Sequence, residues 1–439
     1  MGKPNMNNKP AKVRRTELPG VCYNSSKAAS SAYSPSALKH LSPKELLKKA
    51  TRATDEFEPQ QALNCYKAAL SKLDSELPAE DSTSKVTEHL SMTLHCLQAS
   101  AFILLELGKV EEARKLLNRA VSLSPDEGYE KYMYLAQLSE KKDAVELYLR
   151  GISVVNAAME KAPDTAPQTA EATEDEGTVE PPPPTKAELK RALSNAYCAI
   201  AEIYMTDLCD EPEAEKECLA AVESATKADE KNPQAWLVTA NFHLVKAQKQ
   251  VARAALERCL SLYWPRVEAA ISDLQGEKED EESEDGKDTE KNTEDEDMDT
   301  DSLDNRLDLE ELSGIPFEAH ISMARMMMEL EMNERAADVL EALLEEDDEN
   351  AEVYYLISMV GQQLWKESDP ERLRHYATMA KLFCAKEGDT ELADEMDTLL
   401  QTLPAERTPS VSMGDGPMSS DSEDAEEKEE TGEQNEGTS

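Results

Sequence analysis

The chain has 439 residues and sets 91 Asp+Glu against 47 Lys+Arg, a formal net charge of −44. A surface this negative repels nucleic acid and anionic membranes, whose binding needs a Lys/Arg footprint, and attracts basic partners. Apolar residues make up 39%, short of a fully globular chain, and with 15 Gly and 5% aromatics the Ala/Leu/Glu/Lys-rich remainder favours helices over strands.

Taken from the N-terminus, MGKPNMNNKPAKVRR has no apolar core and does not read as a secretory leader; Lys12, Arg14 and Arg15 make a weak basic cluster. Residues 1–38 are polar and are expected to be disordered. Helical patterning begins at SPKELLKKA, where Ser42 can cap and Pro43 fits the first turn. It continues to 161, breaks at the Pro/acidic linker 162–185, resumes over 186–275, breaks again at 276–308 and closes over 309–403, before an acidic tail from 404. Residues 277–304 hold 16 acids and three lysines with no apolar periodicity, so that insertion is expected to be disordered. The eight cysteines form no C-x-x-C, which is reduced, intracellular usage; the expected compartments are cytoplasm and nucleus. No run approaches a membrane span.

The ordered parts repeat. LELGKVEEARKLLNRAVSLSPD (105–126) places small residues at Ala113 and Ala120, with Pro125 five beyond, as in the second helix of a tetratricopeptide (TPR) unit. Twelve residues back stands Ala101, flanked by Leu97 and Leu104. The same frame gives a first unit (Ala50, Ala62, Tyr66, Ala69), a shortened third (Tyr132, Leu135, Ala136, Ala144, Tyr148) and a fourth (Tyr197, Ile200, Ala201, Tyr204, Ala214, Ala221). A fifth follows (Trp236, Ala240, Ala252, Cys259), then a sixth (Ala324, Met327, Ala336, Leu340) and a seventh that opens at Tyr354, Ile357 and Ser358. ELADEMDTLLQTL is the polar-backed closing helix such arrays need. The fold class is therefore all-α: a TPR superhelical solenoid of about seven helix pairs, with disordered acidic insertions and tails.

No catalytic constellation emerges: there is no phosphate loop, H-E-x-x-H or G-x-S-x-G, and the six histidines are scattered. The chain is not expected to be an enzyme or to carry a metal or cofactor. Met323, Met326, Met327, Met328 and Met332 form a stripe read as inter-helix packing before a binding surface. What remains is the concave wall formed by the first helix of each unit. Its inward positions include Glu130, Glu202, Glu318 and Glu352, with Phe102, Tyr355, Asn195, Asn241, Gln98 and Gln137. Carboxylates there pair with Lys/Arg of a ligand, aromatics stack on guanidinium groups, and amides grip an extended backbone.

Residues 311–360 carry VLEALLEEDDEN followed by Val353, Tyr355 and Leu356. This resembles one TPR family, the dedicated assembly chaperones of the fourth large-subunit ribosomal protein, whose "VLE-x-LL-x-EDDE" precedes "V-x-x-x-YLLG". The segments 130–152, SPKELLKKA and NPQAW (232–236) are similar as well, over roughly 39–403. Departures are YYLIS, with Ser358 at the small position, and a long acidic insertion. The resemblance implies capture of a newly made basic ribosomal protein by its long internal loop, with no direct nucleic-acid or membrane contact. A TPR histone chaperone and a heat-shock co-chaperone are the alternatives. The first carries its acidic block in an early repeat, and the second needs a basic groove.

Overall fold

The computed structural model describes Tyr33 and residues 35–76, 83–162, 184–284 and 307–404. The expected linker, most of both tails and the centre of the acidic insertion lie outside these residues. No strand occurs among the described residues. The chain runs through α1 (Pro35–Leu38), α2 (Pro43–Asp55), α3 (Pro59–Ser75), α4 (Thr83–Glu106), α5 (Val110–Leu123), α6 (Glu130–Gln137) and α7 (Lys141–Met159). It continues through α8 (Lys186–Met205), α9 (Ala214–Ala228), α10 (Pro233–Val245), α11 (Lys249–Glu284), α12 (Leu309–Ser313), α13 (Phe317–Glu329) and α14 (Asn333–Glu346). The last helices are α15 (Ala351–Leu364), α16 (Pro370–Glu387) and α17 (Thr390–Thr402).

Helix starts follow local chemistry. Ser42 and Thr185 each form a capping box with the glutamate three residues on, and Asn232, Asn350, Asp369 and Asp389 each cap through a side-chain oxygen. The stop inside a unit is also regular. In four units the first helix ends on a left-handed residue (Phe57, Gly108, Ala247 or Glu331), and the next N–H donates five residues back. Those bonds run from Glu58 to Ala53, Lys109 to Leu104, Gln248 to His243 and Met332 to Met327, at 2.7–2.8 Å. This wrap satisfies the orphan carbonyls at the helix end and turns the chain back for the second helix.

Each helix packs mainly on its chain neighbours, as α2 on α3, α4 on α5 and α8 on α9. The small residues of the repeat frame make that approach possible: Ala50, Ala62, Ala69, Ala101, Ala113, Ala120, Ala201, Ala240, Ala252, Ala324 and Ala336 are all buried. Ser358, which replaces the glycine of the resembled motif, is fully buried and donates its hydroxyl to the Tyr354 carbonyl at 2.7 Å. Tyr197, Tyr204 and Trp236 depart from the frame and are only half-buried. The core is three successive clusters, spanning 38–135, 136–242 and 237–403. The solenoid expectation is thus borne out.

Two boundaries differ from the sequence expectation. α11 does not end at 275 but runs to Glu284, and Leu307 and Leu309 are already buried in the core on the return. Leu38, placed in the tail from sequence, is buried against the first unit. The methionine stripe is packing: Met323, Met327 and Met332 are buried, and Met326 and Met328 lean on the same core.

The acidic run 345–349 is a structural junction. Asp347 accepts the Glu349 N–H at 3.2 Å and the Asn350 side-chain amide at 3.2 Å. Asn350 in turn accepts the Val353 N–H, and Glu349 pairs with Lys386 at 2.8 Å. Asp347 and Glu349 thus engage different partners.

Candidate functional site

A hollow on the first-helix side lies between α6 and α8. On α6, Glu130, Met133, Tyr134 and Gln137 follow the i, i+3, i+4, i+7 spacing that places side chains on one helix face. On α8, Ala192, Asn195, Ala196, Ala199 and Glu202 do the same. The alanines keep the floor low, while Tyr129, Tyr134 and Tyr148 raise the walls. The hollow has a volume of about 490 Å³.

Four predicted residues, Glu130, Gln137, Asn195 and Glu202, therefore meet in one place. Gln98 and Phe102 on α4 extend it. Phe102 is exposed and sets its ring edge-on to Tyr134, with centroids 6.2 Å apart. Gly128 needs its positive φ of 68°, and a Cβ there would lie 3.4 Å from Gln98 Nε2 and 3.7 Å from Glu130 Oε2. The two polar groups thus converge beside a glycine whose backbone conformation disfavours a side chain.

Asn195 is already positioned. Its Oδ1 accepts from Asn232 Nδ2 at 2.7 Å, and the same amide donates to Ser194 Oγ at 2.9 Å. Ser194 donates to the Ala225 carbonyl at 2.9 Å, so α8, α9 and the start of α10 are tied beneath the hollow. Lys131 lies beside it but faces inward, buried, donating to the carbonyls of Ser124 and Glu127. Burial lowers its pKa.

The electrostatics favour a cation. Surrounding protein raises the pKa of Glu202 above its ordinary value, although the residue is exposed to solvent in the concave wall. Burial, with Glu130 and Glu188 as further causes, pushes the Tyr129 phenol up to about 12, and burial with Glu202 does the same to Tyr148. Burial and Glu130 also raise Tyr134. The walls stay neutral phenols, with ring faces and hydroxyls available beside two carboxylates. Such a surface accepts ammonium or guanidinium groups on an extended chain.

The other four predicted residues line no part of this hollow. Asn241 is half-buried on α10, and Glu318 is exposed on α13. Glu352 is ion-paired with Arg325, which cancels the free charge expected of it. Tyr355 donates its hydroxyl to Glu395 on the closing helix at 3.1 Å. Sequence reasoning missed Tyr129, Tyr134 and Tyr148. The i, i+4 relation of Glu130 to Tyr134 was the signal for one of them. Among the described residues no cluster of His, Cys, Asp or Glu could hold a metal, and no helix is long and apolar enough to cross a membrane.

No family model matches the chain. A "Probable assembly chaperone of rpl4" of Schizosaccharomyces pombe is 27% identical over 259 residues, covering 57% of this chain and 58% of the relative. The protein of the same description from Emericella nidulans is 24% identical over 361 residues, covering 77% of this chain and 72% of the relative. The chain therefore spans less than two thirds of the first relative's length. Among solved structures, "Assembly Chaperone of RpL4 (Acl4)", residues 1–338, matches with a TM-score of 0.50 and 26% identity, over 74% of this chain and 97% of that one. The family resemblance is borne out by these matches: the chain is similar to rpl4 assembly chaperones and has a TPR-like helical solenoid like that of Acl4.

Proposed function

We propose that the chain is a dedicated chaperone of the ribosomal protein RpL4, holding a basic segment of it in the concave groove during its passage to the assembling large subunit. The observation that carries this reading is the hollow between α6 and α8. Glu130 and Glu202 stand there among three tyrosines and three amides, with no basic side chain of the chain's own lining it. The net charge of −44 supports the same partner from a distance. Screening limits that pull to about 8 Å at physiological salt, so specificity must come from contacts in the groove. RNA, with its denser negative charge, competes for the client's cations and releases it at the pre-ribosome. The role is binding, with no reaction, and is exercised in cytoplasm and nucleus.

Co-purification from cell extract, with the bound protein identified by mass spectrometry, tests the reading. RpL4 is the expected companion, and deleting its longest basic segment abolishes capture. Enrichment of histones without RpL4, or undiminished capture of the deleted form, refutes it.

A further inference from the structure

A second hollow, of about 720 Å³, opens on the other helices of the array, between α11, α14 and α16. It shares no residue with the hollow between α6 and α8. Its floor is apolar, with Trp264, Ile271 and Leu274 contributed by α11, the helix that overruns its unit. Its rim is acidic, with Glu268, Asp338, Glu346 and Asp348 among the lining residues. Their charges are thinly answered. Asp338 meets Arg335 at 3.3 Å, and Glu346 accepts one backbone N–H, from Leu309, at 3.1 Å. Burial raises the pKa of both carboxyls, so a cation arriving there relieves an existing cost.

At the edge of this hollow a guanidinium is already held. Arg372, its one basic lining residue, is ion-paired with Glu341 and stacks over Trp365 with its guanidinium carbon 4.1 Å from the ring centroid. Tyr376 donates to Glu341 at 3.0 Å and fixes that carboxylate. A planar cation between a carboxylate and an aromatic face suits arginine better than lysine. The volume of about 720 Å³ is additional to the space that Arg372 fills.

We propose that this cleft is a second docking site, taking an arginine side chain and a neighbouring apolar side chain from a segment of the basic client other than the one in the groove. The identity of the client rests on the RpL4 reading above; the chemistry of the site does not. The array then grips its client at two separated points, and the second contact becomes intramolecular once the first is made.

The test uses the full chain, purified RpL4, and a short peptide of alternating leucine and arginine that bears a photoreactive group. Glu268 and Asp348 are exposed, so the double variant E268Q/D348N keeps shape and removes two charges; an unchanged melting curve verifies its fold. The expected results are a loss of about tenfold in RpL4 affinity, weaker binding of the lysine version of the peptide, and crosslinks on 264–274 or 338–348. Unchanged RpL4 affinity in the double variant, or crosslinks confined to α6 and α8, overturns the second site and leaves the groove reading standing. Failure of the wild-type chain to bind RpL4 overturns both.

Discussion

Replacing Glu202 by Gln should move stability and binding in opposite directions. In the free chain the carboxyl's pKa is raised, and burial is the cause. The folded state therefore holds this proton more tightly than the unfolded state does. Above the raised pKa the ionised group weakens the fold, and the cost vanishes as pH falls through that pKa. Glutamine keeps the shape and removes the charge, so the variant melts slightly higher at neutral pH, a small gain because the residue is exposed, and its advantage shrinks on acidification. With the client present the balance reverses. A charge-assisted contact contributes about 1.5–3 kcal/mol, and the lower end applies because the hollow is open to water. That predicts a dissociation constant for RpL4 about tenfold larger. Titration calorimetry at physiological salt, with melting curves of the same samples, measures both effects. In the wild type the affinity also falls as pH drops towards the raised pKa, because the client binds the ionised form. A variant that melts higher with unchanged affinity shows that Glu202 does not touch the client, and the groove argument fails.

Gly361→Ala should cost about 1–3 kcal/mol in denaturant unfolding, because its Cβ would lie 2.7 Å from the Trp365 ring and 3.0 Å from Leu373, both buried. Gly151→Ala should cost less: its nearest neighbour, at 2.8 Å, is the terminal methyl of Met133, which can swing aside. Glu331→Gly, at φ 58°, should raise the melting temperature by relieving about 1 kcal/mol of left-handed strain, part of which the looser unfolded chain takes back. His320 is fully buried, with its Nε2 unpartnered, and burial lowers its pKa to about 4. Between pH 6.5 and about 4 the unfolded state therefore binds the extra proton, and stability falls as pH falls. His320→Phe should flatten that slope, removing up to about 3 kcal/mol of acid sensitivity, as read from denaturant midpoints at a series of pH values.

The array was legible because a TPR unit is specified locally. Ala101, Ala113 and Ala120 must be small wherever their helices cross, and the spacing appears in the sequence itself. Glu130 and Gln137, or Asn195 and Glu202, were legible for the same reason, each pair lying two helical turns apart on one face. Other features depend on contacts across units. Arg325 cancels Glu352 from 27 residues away, and Glu395 engages Tyr355 from 40 residues away. Nothing in the local pattern announces either. The overrun of α11 was hidden by its acidic composition, which reads as a break when its neighbours are unknown. Ile271 and Leu274 belong to its last apolar stretch and make sense only opposite α14.

The short helix α6 stands at a boundary in the core. Leu135 belongs to the first core cluster and Ala136, one residue later, to the second. The seam between the two clusters thus passes through the helix that carries Glu130, Tyr134 and Gln137, with Leu147 packed against both. The α6 side of the hollow therefore stands where the packing passes from the first cluster to the second.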